Sequence, residues 1–237
     1  MVRIAFVIGT YPPEEQARRE AVALSHATAG IDIGIIRVSA TPYVKNLGAT
    51  EMALAAPAFI DAYRQAQNEG YDAVVPLGFL DIGINGGRSA VDIPIVGACQ
   101  SALHVGLQLG DRLGMVVYSP DLIPVMRTIV RGYGLEQHVV GIAHSGFEVT
   151  DISDNKAAMA EQFLASARSL IDNAGAEVII AAGITQCPVH MKADWLSAQL
   201  GVPVVEGIGA SIRMAALLGG LSLRHSRLRW PASSSFA

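Results

Sequence analysis

Short runs of consecutive apolar residues, many of them β-branched, alternate along this chain with longer stretches in which apolar residues recur every three or four positions. The short runs are Ile4 to Ile8, Ile31 to Val38, Ala73 to Leu77, Ile93 to Val96, Leu113 to Val117, Val139 to Ile142, Val178 to Ala181 and Val202 to Val205. Each reads as a strand covered on both faces. Helical spacing marks Glu51 to Glu69, Gln100 to Leu109, Asp121 to Gly132, Lys156 to Asn173 and Ile208 to Leu218, with glycine at or near the end of several of them. Strands alternating with helices predict βαβ units, hence an α/β fold of mostly parallel sheets flanked by helices.

The pattern also repeats. Gly70 to Gly78 lines up with Gly175 to Gly183, and Ile93 to Gly97 with Val202 to Glu206. In each copy a helix ends at glycine, a buried strand follows, and after a loop and a helix comes a second strand beginning beside proline. Two pseudo-symmetric lobes are therefore expected: residues 1–98 with a returning helix at 207–223, and residues 99–206. In open α/β sheets ligands bind beyond the carboxyl ends of the strands, so the site is expected in a cleft between the lobes, near Gly78 and near Gly183 to Cys187. Residues 224–237 read as a frayed basic tail, docked on a neighbouring subunit through Trp230.

Composition narrows the field. Of 237 residues, 51% are hydrophobic and 16% charged, with a formal net charge of −4, so there is no basic field for nucleic acid or anionic lipid. No apolar stretch approaches the ~18 residues of a membrane span, and Val2 to Ile8 reads as a strand instead of a signal peptide. The two cysteines, Cys99 and Cys187, suit a reducing, cytoplasmic compartment. Neither paired cysteines nor an HExxH helix appears. The glycine-rich run Gly83 to Gly87 lacks the lysine and the spacing of a phosphate loop.

Several segments together resemble the aspartate/glutamate racemase superfamily, and most of all its hydantoin racemase branch. They are Ala73 to Val75 with Gly78 to Asp81, Val91 to Gly97, Ala102 to Val105, Arg112 to Val117, Tyr133 to Leu135 and Gly201 to Gly207. The resemblance implies cofactor-free chemistry at a carbon beside a carbonyl or carboxylate, on a small-molecule substrate, in an expected homo-oligomer. In such racemases two cysteines face each other across the substrate, one removing the α-proton and the other delivering a proton to the opposite face. That chemistry needs groups of tunable pKa, and donors for the developing enolate charge.

This chain departs from that pattern. The position matching the first cysteine is Gly78. The second is Gly183 if counted forward from Gly70 and Gly175, and Cys187 if counted back from Pro94 and Pro203. Glycine at the first position together with Tyr118 is similar to arylmalonate decarboxylase, a one-cysteine branch in which a tyrosine helps form an oxyanion pocket. That branch carries small hydroxyl residues after its glycine, where this chain has Phe79 and Leu80.

Loops after the strands supply the other candidates. Thr10 and Tyr11 could hold a carboxylate or ring carbonyl, or simply form a Tyr-Pro-Pro turn. Tyr118 and Ser119 occupy the loop with which the family binds an anionic group. Asp81 could orient water or a substrate N–H, or cap a helix. Thr185 and Gln186 could donate to an oxyanion, and His190 could lower the pKa of the Cys187 thiol. Phe79 could line an apolar pocket wall, with Leu80 and Ile82, or a dimer contact. His144 and Glu206 are weaker candidates, and His104 reads as a core or interface histidine.

Four functions compete. A racemase or isomerase would act at the acidic α-carbon of a hydantoin-like ring or small carboxylic acid, with Cys187 as one proton carrier. A decarboxylase of malonate-type acids would form an enolate that Cys187 protonates. A ring-opening hydrolase would activate water with Asp81 or a histidine. A binding protein on the same scaffold would turn nothing over.

Overall fold

A computed structural model describes residues 1–38 and 47–236, apart from the side chain of Phe236. The chain divides into two compact units, one taking Met1–Tyr43, Thr50–Ala98 and Ser211–Ala237, the other Val44–Ala49 and Cys99–Ala210.

The first unit runs β1 (Val2–Ile8), α1 (Pro13–Leu24), β2 (Ile31–Arg37), α2 (Ala49–Asn68), β3 (Ala73–Pro76) and α3 (Ile84–Ala90). Its strands form a parallel sheet in the order β2-β1-β3. Ile4 to Ile8 are fully buried, as a continuous apolar run in a covered parallel sheet requires. The fourth strand expected at Ile93 to Val96 reduces to a single bridge between Val74 and Ile95. The Val74 N–H donates to the Pro94 carbonyl and the Val96 N–H to the Val74 carbonyl, while Pro94 has no N–H with which to extend the ladder.

The second unit runs from α4 (Ala98–Gly106) through β4 (Leu113–Val117), α5 (Leu122–Gly132), β5 (Val139–His144), α6 (Lys156–Ala174), β6 (Val178–Ala181), α7 (Ala193–Leu200) and β7 (Val204–Glu206) to the start of α8 (Gly207–Gly220), which belongs to the first unit from Ser211 on. Its parallel sheet has the order β5-β4-β6-β7. Helix α6 buries Met159, Phe163, Ala167 and Leu170 along one stripe, the i, i+4 spacing of a helix packed on a sheet. Gly175, at φ 67°, closes it.

Helices α1, α3 and α7 were not expected from spacing. In α1 the buried positions are Glu15, Arg19 and Ala23. They fall on one face, but two of them are charged, and the Arg19 guanidinium pairs with the Glu15 carboxylate there. An apolar-periodicity test misses such a stripe.

The terminal segment also corrects its sequence reading. It is tied to the first unit. Arg227 pairs with the Asp92 carboxylate and donates to the carbonyls of Arg88 and Val91. The Ile95 N–H donates to Nε2 of His225 at 2.9 Å, and the Ser233 N–H to the Ser89 carbonyl. The Trp230 ring lies under the guanidinium of Arg88 at 5.4 Å and of Arg229 at 4.1 Å, so this chain's own arginines engage it.

Candidate functional site

In each unit the polar candidates follow the carboxyl ends of strands. The hydrogen-bond ladders show which positions correspond. The Leu77 N–H donates to the Val7 carbonyl past the end of β3, and the Ala182 N–H to the Val116 carbonyl past the end of β6. The Val74 N–H meets the Pro94 carbonyl as the Ile179 N–H meets that of Pro203. Gly78 and Gly183 are therefore equivalent, and the four extra residues of the second copy lie beyond Gly183. Cys187 belongs to that insertion.

The insertion forms a kinked turn over Thr185–His190, within which Cys187 leaves helical geometry at φ −140°, ψ 125°. Its backbone is anchored at both ends, by the Cys187 N–H on the Gly183 carbonyl and the Met191 N–H on the Gln186 carbonyl. Thr185, Gln186 and Cys187 are all buried. The Gln186 side chain is fully buried, and neither its amide nitrogen nor its oxygen has a hydrogen-bond partner. A Cβ added at Gly183 would lie 2.7 Å from Nε2 of Gln186 and 2.9 Å from Cδ1 of Tyr118. The fold thus brings Tyr118, Gly183 and Gln186 together, with the amide and the ring occupying the space that a side chain at 183 would need.

Strands β6 and β7 set Ala181 opposite Glu206, and the Glu206 charge acts on the Cys187 thiol in the loop that follows β6. Glu206 ends β7 and caps α8, its carboxylate accepting the N–H groups of Ile208 and Gly209 at 2.7 and 2.6 Å. Burial nevertheless raises its carboxyl above the usual range. The Cys187 thiol is pushed well above the ordinary thiol value by burial, then by the negative charges of Glu206 and Asp194. The direction is upward, with Glu206 and Asp194 and not His190 among its causes. The half-buried His190 ring instead lies 3.4 Å from the Ser153 hydroxyl through Nε2. Glu206, passed over as a weaker candidate, is the charged group acting most directly on the thiol.

Tyr118 is buried, its carbonyl accepting the Phe147 N–H. Ser119 is buried too, its hydroxyl accepting the Asp121 N–H at 3.4 Å as α5 begins.

In the first unit, Gly78 adopts φ +121°, where an L-residue is strained, although a Cβ there would meet nothing within 4 Å. Phe79, Leu80, Asp81 and Ile82 are all buried, which leaves no exposed Phe79 face for a dimer contact. Asp81 has φ 52°, uncommon for a residue with a side chain. It does not cap α3, whose N-cap is Gly83 with no side-chain hydrogen bond. Its carboxyl packs where a Cβ at Gly97 would be, and its charge helps raise the pKa of Tyr63, whose hydroxyl donates to the Ile82 carbonyl. Thr10 is exposed and donates to the Val38 carbonyl at 3.0 Å. Tyr11 has the Arg19 guanidinium 4.1 Å over its ring, and burial raises its pKa. These are structural partners for Thr10 and for the tyrosine of the Tyr-Pro-Pro turn that follows it.

The Asp/Glu/Hydantoin racemase family model matches residues 16–215. The chain belongs to that family. A hydantoin racemase of Rhizobium meliloti is 28% identical over 207 residues, covering 86% of this chain and 83% of its own. Among solved structures, allantoin racemase from Klebsiella pneumoniae superposes with a TM-score of 0.89 at 22% identity, covering 99% of this chain and 94% of that one. Unliganded arylmalonate decarboxylase shares the fold at a TM-score of 0.62 and 16% identity, covering 93% of each. No helix among the described residues is long and apolar enough to cross a membrane, and no group of three or more His, Cys, Asp or Glu side chains among them could hold a metal ion.

Proposed function

We propose that this racemase-family chain is a cofactor-independent isomerase acting at the acidic α-carbon of a hydantoin-like ring or small carboxylic acid, with Cys187 as a proton carrier and Glu206 as its relay. The observation that carries this reading is the fully buried Cys187 thiol, acted on by the half-buried Glu206 carboxylate that caps α8. Burial raises the pKa of both groups, the direction that suits a proton donor to a carbanion. In the delivering direction the S–H proton passes to the α-carbon, and the thiolate left behind takes a proton from the Glu206 carboxyl. In the abstracting direction Glu206 takes the thiol proton, and the thiolate removes the proton from carbon. The Thr185 and Gln186 side chains are the proposed donors to the enolate oxygen.

The test is proton exchange in heavy water, with both enantiomers of 5-substituted hydantoins and of small 2-substituted acids. Deuterium should enter at the α-carbon, and Cys187→Ser should slow its entry by about 10²–10⁴-fold. A parent protein that leaves every α-proton in place would remove the proposal.

A malonate decarboxylase is the second reading, favoured by glycine at both equivalent positions, 78 and 183, which leaves neither with a thiol and so suits protonation by Cys187 from one face. Release of carbon dioxide from 2-substituted malonates, lost in Cys187→Ser, would support it over the isomerase.

A further inference from the structure

We infer that Gln186 is the specificity-determining residue of this site, its carboxamide selecting substrates that present an amide N–H and C=O side by side. This rests on the proposed function only in taking the Cys187 loop as the site. Three observations support it. The side chain is fully buried with both polar atoms unpartnered, a condition that native proteins rarely tolerate without a role. It is held in place by a turn anchored at Gly183 and Met191. And it lies against Gly183 and Tyr118, filling the space of the missing side chain at the position equivalent to Gly78.

A carboxamide has a donor and an acceptor on one flat edge. The neighbouring N–H and C=O of a ring amide or ureide match both at once, in a two-bond pairing. A carboxylate offers acceptors alone, so it can satisfy the Gln186 nitrogen only by setting its second oxygen against the Gln186 oxygen. A purely apolar group satisfies neither atom. Sites built on buried polar groups reject analogues that leave those groups unpaired, so the Gln186 pair favours the ring amide over the carboxylic acid among the substrates proposed above.

The test is calorimetric titration of the full chain with 5-methylhydantoin, its 1,3-dimethyl analogue, which has lost its N–H donors, and the carboxylate 2-methylbutanoate, which carries no amide. The parent should prefer the unmethylated ring to both others by about tenfold or more. Gln186→Met, which keeps the length and removes both polar atoms, should bind the first two within about twofold of each other. Its melting temperature should equal or exceed the parent's, because no unpartnered polar group remains buried. A preference that survives in Gln186→Met, or a parent that prefers none of the three, overturns the inference. If Gln186→Met does not fold, Gln186→Leu decides by the same readout, and collapse of both assigns Gln186 to structure alone and overturns the inference. The heavy-water exchange assay separates the two claims. Exchange with an unchanged preference in Gln186→Met sinks the role of Gln186 and leaves the isomerase, whereas a lost preference without exchange in the parent does the reverse.

Discussion

Gly183 and Gln186 exclude one another sterically, and this can be measured without knowing the substrate. In Gly183→Ala the new methyl would sit 2.7 Å from Nε2 of Gln186 and 2.9 Å from Cδ1 of Tyr118. The shorter of these is roughly 0.8 Å inside an ordinary contact of ~3.5 Å. Both neighbours are buried, and inserting a methyl into a packed interior costs about 1–3 kcal/mol. At about 2–4 °C per kcal/mol for a chain of this size, the melting temperature should fall by roughly 2–12 °C. Gln186→Ala removes the nearer obstacle, so Gly183→Ala should cost less in that background, with a coupling of about 0.5–3 kcal/mol. Differential scanning calorimetry of the parent, both single variants and the double variant closes the cycle. If Gly183→Ala melts with the parent, or the double variant shows the sum of the single effects, Gln186 does not occupy the space beside Gly183.

Two further predictions concern titration. Burial, with the positive charges of Arg88 and Arg227 opposed by Asp92, holds the His225 pKa down to about 4, below the unfolded value of ~6.5. The unfolded chain therefore binds a proton that the native state refuses, so this contribution to stability is intact above pH ~6.5 and is lost as pH falls toward 4. His225→Gln should flatten that part of the melting temperature's pH profile, and an unchanged slope would refute the assignment. In a Cys99→Ala background, Cys187 should react with a disulfide reagent only at pH well above that of a free thiol. Glu206→Gln should move the midpoint down by removing the nearest negative charge, and a midpoint that stays in place or rises would show that Glu206 does not act on the thiol.

Much of the fold was legible in local pattern. The β-rich runs at Leu113 to Val117 and Val178 to Ala181 became β4 and β6 with those same limits, because a strand covered on both faces must be apolar at every position. Local pattern failed where burial was not apolar. The inward face of α1 carries Glu15 and Arg19, and α3 is a glycine-containing helix in which a Cβ at Gly87 would meet the Tyr63 ring at 2.5 Å. Terminal residues read as frayed are held by Arg227 and His225, partners more than a hundred positions away in the chain.

The site divides along the same line. The amino-acid sequence by itself determined the alternation of elements, the internal repeat and the glycine at 78, since each is a property of neighbours or of spacing. It left Gly183 and Cys187 as rival mates for Gly78, because an insertion has no register until a strand is paired. It treated Gln186 as one polar loop residue among others and Glu206 as a weak candidate. Only the tertiary structure decided these points. Ladder bonds from β4 to β6 made Gly183 the equivalent position, and pairing of β6 with β7 brought Glu206 opposite Ala181, where its charge acts on the Cys187 thiol. Burial of the Gln186 amide and the raised pKa of the Cys187 thiol follow from that packing, because desolvation and charge proximity depend on distance in space, which spacing along the chain does not encode.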